Sequence, residues 1–251
     1  MSFDQVILLG DSLTDFSMRP GGWGLQLVTA FGRKFDVKFR GVTASNSWNL
    51  RYMLPSILQE TPANRIRLIT ILIGTNDYAV PDYWTHVNLE VYKENLKVIL
   101  NEISHKVPNA KVLVMTPPPM SARDWNDGAY LIENAVNYRD ACIQTVTALQ
   151  AEMPNVTLLN LWNVFVPSKA YTNADWDPAS ISHFFEDELH FGIEGHNLVF
   201  ANVMKTIVSQ WPELNPETMP DMFPPPNTYP NATSNDVEGL KKILFQEARK
   251  E

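Results

Sequence analysis

Three residues of this chain carry the side chains that catalysis by a hydroxyl nucleophile requires. Ser12 lies in Gly10-Asp11-Ser12-Leu13, directly after the apolar run 6–9, where a buried strand is expected to give way to a turn. Far along the chain, Asp187 and His190 lie three residues apart. A serine hydroxyl is a weak nucleophile until a neighbouring base takes its proton, and a histidine base needs a third group to orient its ring. These residue types predict a triad of Ser12, His190 and Asp187.

Asn76 could supply a further part of such a site. It lies in Gly74-Thr75-Asn76-Asp77, after the apolar run 71–73. Its amide can donate a hydrogen bond to the oxygen on which negative charge develops during acyl transfer. Simpler interpretations also exist, because Ser12 could merely cap a helix and Asn76 could merely form a turn. Several polar clusters with complementary roles favour the catalytic interpretation.

On these residues the chain resembles the GDSL, or SGNH, hydrolases, a family of serine esterases and lipases. Gly10-Asp11-Ser12-Leu13 matches the first block of the family, Gly74-Thr75-Asn76-Asp77 matches the third, and Asp187 with His190 matches the fifth. Arg40-Gly41, Leu54-Pro55 and Leu189-His190-Phe191 are similar to the esterase group that hydrolyses isoamyl acetate. The resemblance covers about residues 4–211.

The resemblance implies a fold and an activity. The implied fold is a three-layer α/β/α sandwich with a mainly parallel, five-stranded sheet, of the flavodoxin-like type. The implied activity is hydrolysis of short acyl esters such as acetates through an acyl-enzyme on Ser12, without a cofactor or a metal. Lysophospholipid or thioester hydrolysis would use the same residues.

The family's oxyanion hole combines backbone N–H groups with the asparagine amide, here Asn76. We align the second block with residues 40–46, which places Ala44 where the family usually has a glycine. The implied backbone donors are therefore Ser12 and Ala44, with Gly41 as the fallback. An alanine is harmless at this position if φ is negative, but it is costly if the backbone needs the left-handed region that glycine tolerates.

The alternation of apolar patterns along the chain independently predicts an α/β fold. Runs of strand length recur at 5–9, 36–42, 67–73, 111–116 and 156–161, and the segments 85–106, 131–150 and 194–211 have helical spacing. Such alternation indicates a parallel sheet covered on both faces, with sites beyond the carboxyl ends of the strands. We therefore expect Ser12, Ala44 and Asn76 at one edge of the sheet.

Polar and aromatic loop segments are expected to surround the site. The segment 121–128, which follows the end of the fourth predicted strand, is too polar and too broken to be core, so we expect it to form a loop over the site. Tyr78, Trp84 and Trp125 are the predicted walls of an apolar substrate pocket. Any single one of these rings could instead anchor its own loop.

Composition restricts the classes of partner. The chain of 251 residues is 45% hydrophobic, carries a net charge of −8 and has one cysteine, Cys142. These values predict one sizeable core without an internal disulfide, and they argue against binding to nucleic acid or to anionic membranes. The segment 1–4 has neither a basic flank nor a long apolar region, so we expect a cytoplasmic protein without a signal peptide or membrane span. The expected partner is a small-molecule ester, and a homodimer is possible.

The composition changes after Trp211. We predict a catalytic domain over 1–211, and a Pro-rich tail with a C-terminal helix over 212–251 that packs on the domain or on a partner subunit. The tail is not needed for the proposed chemistry.

Two functions of other classes remain open. Asp11, Asp15, Asp77 and Asp187 could form a metal site with His190 for phosphoester hydrolysis. The chain could also be an ester-binding protein without turnover, which the substitution at Ala44 would allow.

Overall fold

A computed structural model describes residues 3–166, 176–223, 226–229 and 236–244. Its centre is a sheet of five parallel strands in the order β2-β1-β3-β4-β7. These strands are β1 (Gln5–Gly10), β2 (Asp36–Gly41), β3 (Ile66–Leu72), β4 (Lys111–Met115) and β7 (Val156–Leu159). β1 and β3 are almost wholly buried, as continuous apolar runs in the middle of a two-sided parallel sheet require. The predicted five-stranded parallel sheet is confirmed.

Helices cover both faces of this sheet. α3 (Ser47–Gln59), α4 (Leu89–Lys106) and α5 (Ile132–Gln150) pack side by side, whereas α2 (Trp23–Ala30) packs against α7 (Ile193–Gln210). α4 shows why these helices pack against the sheet. Its residues Tyr92, Leu96, Ile99 and Ile103 recur on one face of the helix and are all buried. The short helices are α1 (Ser12–Asp15), α6 (Leu161–Phe165) and α8 (Val237–Leu244). Among the described residues, no helix is both long and apolar enough to cross a membrane.

The order of the strands creates the place for a site. The chain leaves β1 towards β2 on one side and later enters β3 on the other, so the loops that follow β1 and β3 diverge at their carboxyl ends. In open α/β sheets ligands bind at such a switch point. Ser12 follows β1 and Asn76 follows β3, which brings these two distant segments together at one edge.

The loop after β4 contains a small antiparallel hairpin of β5 (Asp124–Trp125) and β6 (Tyr130–Leu131). Its turn consists of Asn126, Asp127 and Gly128, which all have positive φ. These residue types tolerate the left-handed region, so the sequence suits a tight hairpin here. Trp125 and Tyr130 face each other across the hairpin.

The first part of the tail lies against the domain. Leu214 is buried in the core, and Asp221 forms ion pairs with Arg33 and Lys34 at the end of α2. The ring of Phe223 meets that of Phe3 edge-on before β1. The tail also contains the short helix α8 (Val237–Leu244), and residues 245–251 lie outside the described residues.

Candidate active site

The start of α1 places the hydroxyl of Ser12 at the carboxyl end of the sheet. Asp11 caps the helix, because its Oδ1 accepts a hydrogen bond of 2.9 Å from the N–H of Leu13. Ser12 is therefore not the cap, and its Oγ lies 2.9 Å from Nε2 of His190, which is 178 positions away in sequence. Only 5% of Ser12 is exposed. The hydroxyl thus faces the ring of His190 in a nearly closed environment.

Asp187 orients His190 from the same loop. Its Oδ2 lies 2.7 Å from the ring Nδ1 of His190, and its Oδ1 accepts hydrogen bonds from the N–H groups of Leu189 and His190. Burial alone would raise the pKa of Asp187, but these hydrogen bonds hold it below its ordinary value. An ionised carboxylate only accepts, so the Nδ1 atom of His190 carries the proton. Nε2 is then free to accept the proton of Ser12.

The loop that contains Asp187 is held in a specific shape. Glu188 has a φ of 72°, in the left-handed region, and its carbonyl oxygen accepts a hydrogen bond of 2.8 Å from the N–H of Ser121. The N–H of Glu186 donates to the carbonyl of His190 at 2.9 Å. The loop after β4 therefore anchors the loop that contains Asp187 and His190.

Ala44 lies at the tip of a turn between β2 and α3. The N–H of Ser45 donates to the carbonyl of Val42 at 3.0 Å, and Ala44 has a φ of 63°. This is the position of a tight turn where glycine is favoured. The hydroxyl of Thr43 donates to Asp15 of α1 at 2.6 Å, which fixes the turn beside the helix that begins with Ser12. The backbone of Ala44 is therefore in the left-handed region. Of the two conformations that the sequence allowed, this is the one that is costly for alanine.

The backbone donors of this region are available. In the described part of the chain, the N–H groups of Ser12 and Ala44 have no hydrogen-bond acceptor.

The N–H group of Gly41, the predicted fallback donor, points in another direction. The N–H of Val42 points to β1, where it donates to the carbonyl of Gly10, and successive N–H groups of a strand point in opposite directions. The N–H of Gly41 thus points away from Ser12, which favours Ala44 as the second donor.

The amide of Asn76 is fixed at both ends. Its Nδ2 donates to the carbonyl of Ser45 at 2.8 Å, and its Oδ1 accepts from the hydroxyl of Tyr130 at 3.0 Å. A primary amide has two N–H groups, so one of them remains for a substrate oxygen. Asn76 is 6% exposed, and its bond to Ser45 places it next to the turn of Ala44.

Two buried carboxyl groups support the loops beneath the site. Asp77 accepts hydrogen bonds from the N–H and the hydroxyl of Ser47, the first residue of α3. Burial raises the pKa of Asp77 to about 7. Burial also raises the pKa of Asp11 to about 7, and the nearby charge of Asp77 contributes to this rise. Both carboxyl groups are fully buried, which removes them from direct contact with a substrate.

The predicted pocket walls occupy three different environments. Trp125 packs edge-on against the ring of His190, with the two centroids 5.8 Å apart. Trp84 is 73% exposed and lines a groove beside Ala44. Tyr78 has no exposed surface and packs edge-on against Tyr130. The expectation that Tyr78 lines a substrate pocket does not fit this structure, because its ring is part of the core.

The groove beside Ala44 has a volume of about 580 Å³. Its lining includes Ser45 and the exposed side chains of Val42, Trp48, Tyr52 and Trp84. Exposed apolar side chains that cluster in one place indicate a binding surface. Sequence reasoning missed Trp48 and Tyr52, which lie in α3 at helical spacing and resemble ordinary core positions.

Two further histidines and the metal alternative can be compared with these positions. His183 is exposed, and His196 is 4% exposed in α7, where burial lowers its pKa to about 4. Neither is hydrogen-bonded to Ser12, whereas His190 is. Among the described residues, no group of three His, Cys, Asp or Glu side chains could hold a metal ion. The geometry therefore favours the serine mechanism over the metal alternative.

Sequence reasoning also missed three residues that contact the site, which are Phe16, Ser45 and Tyr130. The ring of Phe16 lies 4.8 Å from that of His190 between centroids. The one signal for Tyr130 was Asn126-Asp127-Gly128, a turn that pairs the residues on either side of it. Which loop such a pair would contact is a tertiary property.

Comparisons with known proteins identify similar chains. A model of the GDSL-like lipase/acylhydrolase family matches residues 8–198. A GDSL esterase/lipase of Arabidopsis thaliana is 31% identical over 232 residues, which cover 88% of this chain and 91% of that protein. The human isoamyl acetate-hydrolyzing esterase 1 homolog is 29% identical over 227 residues, with coverages of 84% and 86%.

The fold has solved counterparts as well. The crystal structure of an acetyl xylan esterase is similar with a TM-score of 0.63 and 16% sequence identity, and the match covers 81% of this chain and 99% of that one. At this identity the likeness concerns the fold alone.

Proposed function

The chain belongs to the GDSL-like lipase/acylhydrolase family and is an ester-hydrolysing enzyme, and we propose that it is a serine carboxylesterase that cleaves short-chain acyl esters of the acetate type. Ser12 is the nucleophile, His190 the general base and acid, and Asp187 the residue that orients His190. The observation that carries the proposal is the continuous hydrogen-bonded chain from Ser12 Oγ through the ring of His190 to Asp187, with distances of 2.9 and 2.7 Å.

The first half of the reaction forms an acyl-enzyme. Nε2 of His190 takes the proton of Ser12 while Oγ attacks the carbonyl carbon of the ester. The N–H groups of Ser12 and Ala44 and the free N–H of Asn76 stabilise the oxyanion. His190 then gives its proton to the departing alcohol as the bond between the carbonyl carbon and the alcohol oxygen breaks.

The second half repeats these steps with water. His190 takes a proton from a water molecule, which attacks the acyl carbon, and returns that proton to Oγ of Ser12 as the acid leaves. The ionised Asp187 stabilises the imidazolium form of His190 in both halves. No step needs a cofactor.

The position of His190 also suggests where the alcohol lies. His190 must reach the leaving oxygen, so the alcohol has to pass close to its ring. Phe16 and Trp125 flank this ring at 4.8 and 5.8 Å between centroids. Apolar walls on this side suit an aliphatic alcohol, and the acetate ester in the name of the human relative has such an alcohol.

Hydrolysis of p-nitrophenyl acetate by the wild type and by Ser12→Ala tests the proposal. We expect the variant to lose activity by at least roughly 10³-fold, because the nucleophile is absent and only the oxyanion donors remain. A fluorophosphonate probe should add once to the wild type and not to the variant, as intact mass will show. Activity that survives the substitution would contradict the serine mechanism, and sensitivity of that activity to a chelator would point to a metal site.

A second candidate, hydrolysis of esters with longer acyl chains such as lysophospholipids, has one observation in its favour. The groove of about 580 Å³ beside Ala44 is far larger than an acetyl group needs, and it lies on the β2 side of Ser12, whereas the Trp125 hairpin follows β4 on the other side. A series of p-nitrophenyl esters from acetate to octanoate separates the two candidates. A kcat/KM that is highest for acetate supports the first, and one that rises with chain length and falls in Trp84→Ala supports the second.

A further inference from the structure

Asn76 can act in the proposed mechanism only if its amide is turned in one direction. The two ends of a primary amide have nearly the same shape but opposite hydrogen-bonding roles. If the amide were reversed, Oδ1 would face the developing negative charge and would destabilise it. Something in the structure must therefore fix which end faces the substrate.

Tyr130 donates to the oxygen end of this amide. The phenolic oxygen lies 3.0 Å from Oδ1 of Asn76, while Nδ2 of Asn76 donates to the carbonyl of Ser45 at 2.8 Å. A carbonyl can only accept, so the contact with Ser45 alone already prefers Nδ2 on that side. The hydroxyl of Tyr130 adds a donor on the other side, and together the two contacts select one orientation.

A contact with Thr85 leaves the hydroxyl hydrogen of Tyr130 for the bond to Asn76. Oγ1 of Thr85 lies 3.2 Å from the phenolic oxygen. Because Tyr130 has one hydrogen and gives it to Asn76, the hydroxyl of Thr85 is the donor in this contact. Thr85 is 1% and Tyr130 is 3% exposed, so water does not compete for these bonds. Burial raises the pKa of Tyr130 to about 12, which keeps the phenol protonated.

The hairpin of β5 and β6 holds the ring of Tyr130 in place. The ring makes edge-on contacts with Tyr78, Tyr83 and Trp125, with centroids 5.3 to 5.8 Å apart. Rings held in this way have little rotational freedom, so the hydroxyl is directed at Asn76 without further loss of entropy on substrate binding.

From this geometry we propose that Tyr130 is a positioning residue for the oxyanion hole. It donates to Oδ1 of Asn76, keeps the free N–H of the amide directed at the oxyanion, and polarises that N–H through the chain from Thr85 to Tyr130 to Asn76. The inference rests on the proposed serine esterase mechanism. It assigns a role in the transition state to a residue that does not touch the reacting atoms.

Tyr130→Phe tests this role, because it removes the hydroxyl and retains the packed ring. We expect kcat for p-nitrophenyl acetate to fall roughly tenfold, less than the 10²–10³ that loss of a whole oxyanion donor costs. KM should change little, since the ground-state ester carries no full charge on its oxygen. The affinity for a trifluoromethyl ketone, which forms a charged tetrahedral adduct on the serine, should fall together with kcat.

Tyr138→Phe is the matched control. Tyr138 belongs to the same aromatic cluster and is also buried, but its hydroxyl donates to the carbonyl of Val87, away from the site. This variant should lose stability to a similar degree and retain kcat. An equal loss of kcat in Tyr138→Phe would overturn the proposal, because general loosening of the core would then explain both variants.

A double-mutant cycle decides whether Tyr130 acts through Asn76. In the Asn76→Ala background, Tyr130→Phe should have no further effect on kcat. The same fold loss in both backgrounds would overturn the proposal, as would an unchanged kcat in Tyr130→Phe alone. Ser12→Ala is measured in the same series, so that a failure of the serine mechanism itself, seen as activity without Ser12, is distinguished from a failure of this inference.

Discussion

Ala44 has a backbone conformation that alanine tolerates poorly. Its φ of 63° belongs to the left-handed region, which costs a residue with a Cβ atom about 1–2 kcal/mol. Three contacts hold the turn in this shape: the bond from Ser45 to Val42, the bond from Thr43 to Asp15, and the bond from Asn76 to Ser45. Strain at this turn supports the proposal that the turn positions the N–H group of Ala44 for the oxyanion.

Ala44→Gly should therefore stabilise the protein. The relief of strain exceeds the loss of roughly 0.5–1 kcal/mol that the greater freedom of glycine in the unfolded chain causes, so we expect a net gain of up to about 1 kcal/mol. Urea denaturation at neutral pH measures it. The kcat should remain close to that of the wild type, because the N–H group is retained.

Ala201→Gly provides the control for this substitution. Ala201 is exposed in α7, where φ is ordinary, so the same change should destabilise the protein by about 0.5–1 kcal/mol. If both variants lose stability, the turn at Ala44 is not strained.

At the scale of elements, the position of Ser12 depends on how closely β2 approaches α1. An added Cβ at Gly41 would lie 2.3 Å from the backbone N of Asp15 and 2.7 Å from the carbonyl carbon of Thr14. Both of these atoms belong to the backbone of α1, which cannot move without moving Ser12. The glycine thus allows two elements to touch, and its role is steric rather than that of an N–H donor.

Gly41→Ala should consequently lower both stability and activity. Overpacking of this kind costs about 1–3 kcal/mol, and a displaced α1 lengthens the distance between Ser12 Oγ and His190 Nε2. Thermal unfolding and the rate of labelling by a fluorophosphonate measure the two effects. Gly192→Ala is the control, because a Cβ there would meet no atom closer than 3.4 Å. A Gly41→Ala variant that is as stable and as reactive as Gly192→Ala would refute this role.

At the scale of the whole molecule, two carboxyl groups are buried below the carboxyl end of the sheet. Asp11 and Asp77 each tie a loop to a helix, and burial raises the pKa of both to about 7 from an ordinary value of 3.8. Oδ2 of Asp11 has no hydrogen-bond partner among the described residues. The fold therefore contains a group that is costly to ionise.

The contribution of these two carboxyl groups to the stability of the protein should then fall as the pH rises from about 4 to about 7. In this range the folded state holds protons on these carboxyl groups that the unfolded state has released, and stability decreases with pH wherever the folded state binds more protons. Below pH 4 both states are protonated, and above pH 7 both are ionised, so the effect is confined to this window. Urea denaturation at several pH values measures the slope.

Asp11→Asn should reduce that slope. The amide oxygen of asparagine can still accept from Leu13, so the cap of α1 is retained while one titrating group is lost. Asp36→Asn is the control, since Asp36 is an exposed residue at the start of β2. A slope that is equal in the wild type and in Asp11→Asn would show that Asp11 does not titrate in this window.

Much of the site could be predicted from the sequence, because the strands and the pairing of Asp187 with His190 each depend on residues that are close together in the chain. The apolar runs that became the five strands end within a few residues of the predicted limits, since a buried parallel strand needs continuous apolar residues. Asp187 and His190 lie in one loop, so their hydrogen bond depends only on short-range geometry.

Other features depended on tertiary structure. Tyr78 was expected at the surface of a pocket and is buried, because the sequence of a loop does not report which side of an aromatic ring the core covers. Tyr130 reaches Asn76 only because a hairpin after β4 folds over the loop after β3. The groove of Trp48, Tyr52 and Trp84 likewise joins a helix to a distant loop.

The sequence by itself thus determined the parallel sheet, the edge at which Ser12, Ala44 and Asn76 emerge, and the hydrogen-bonded pair of Asp187 and His190. Periodicity and short spacings encode these features directly. Tertiary structure decided the strain at Ala44, the steric role of Gly41 and the orientation of Asn76. Each of these depends on a φ angle or on an atom from another element, which packing sets and residue types alone do not.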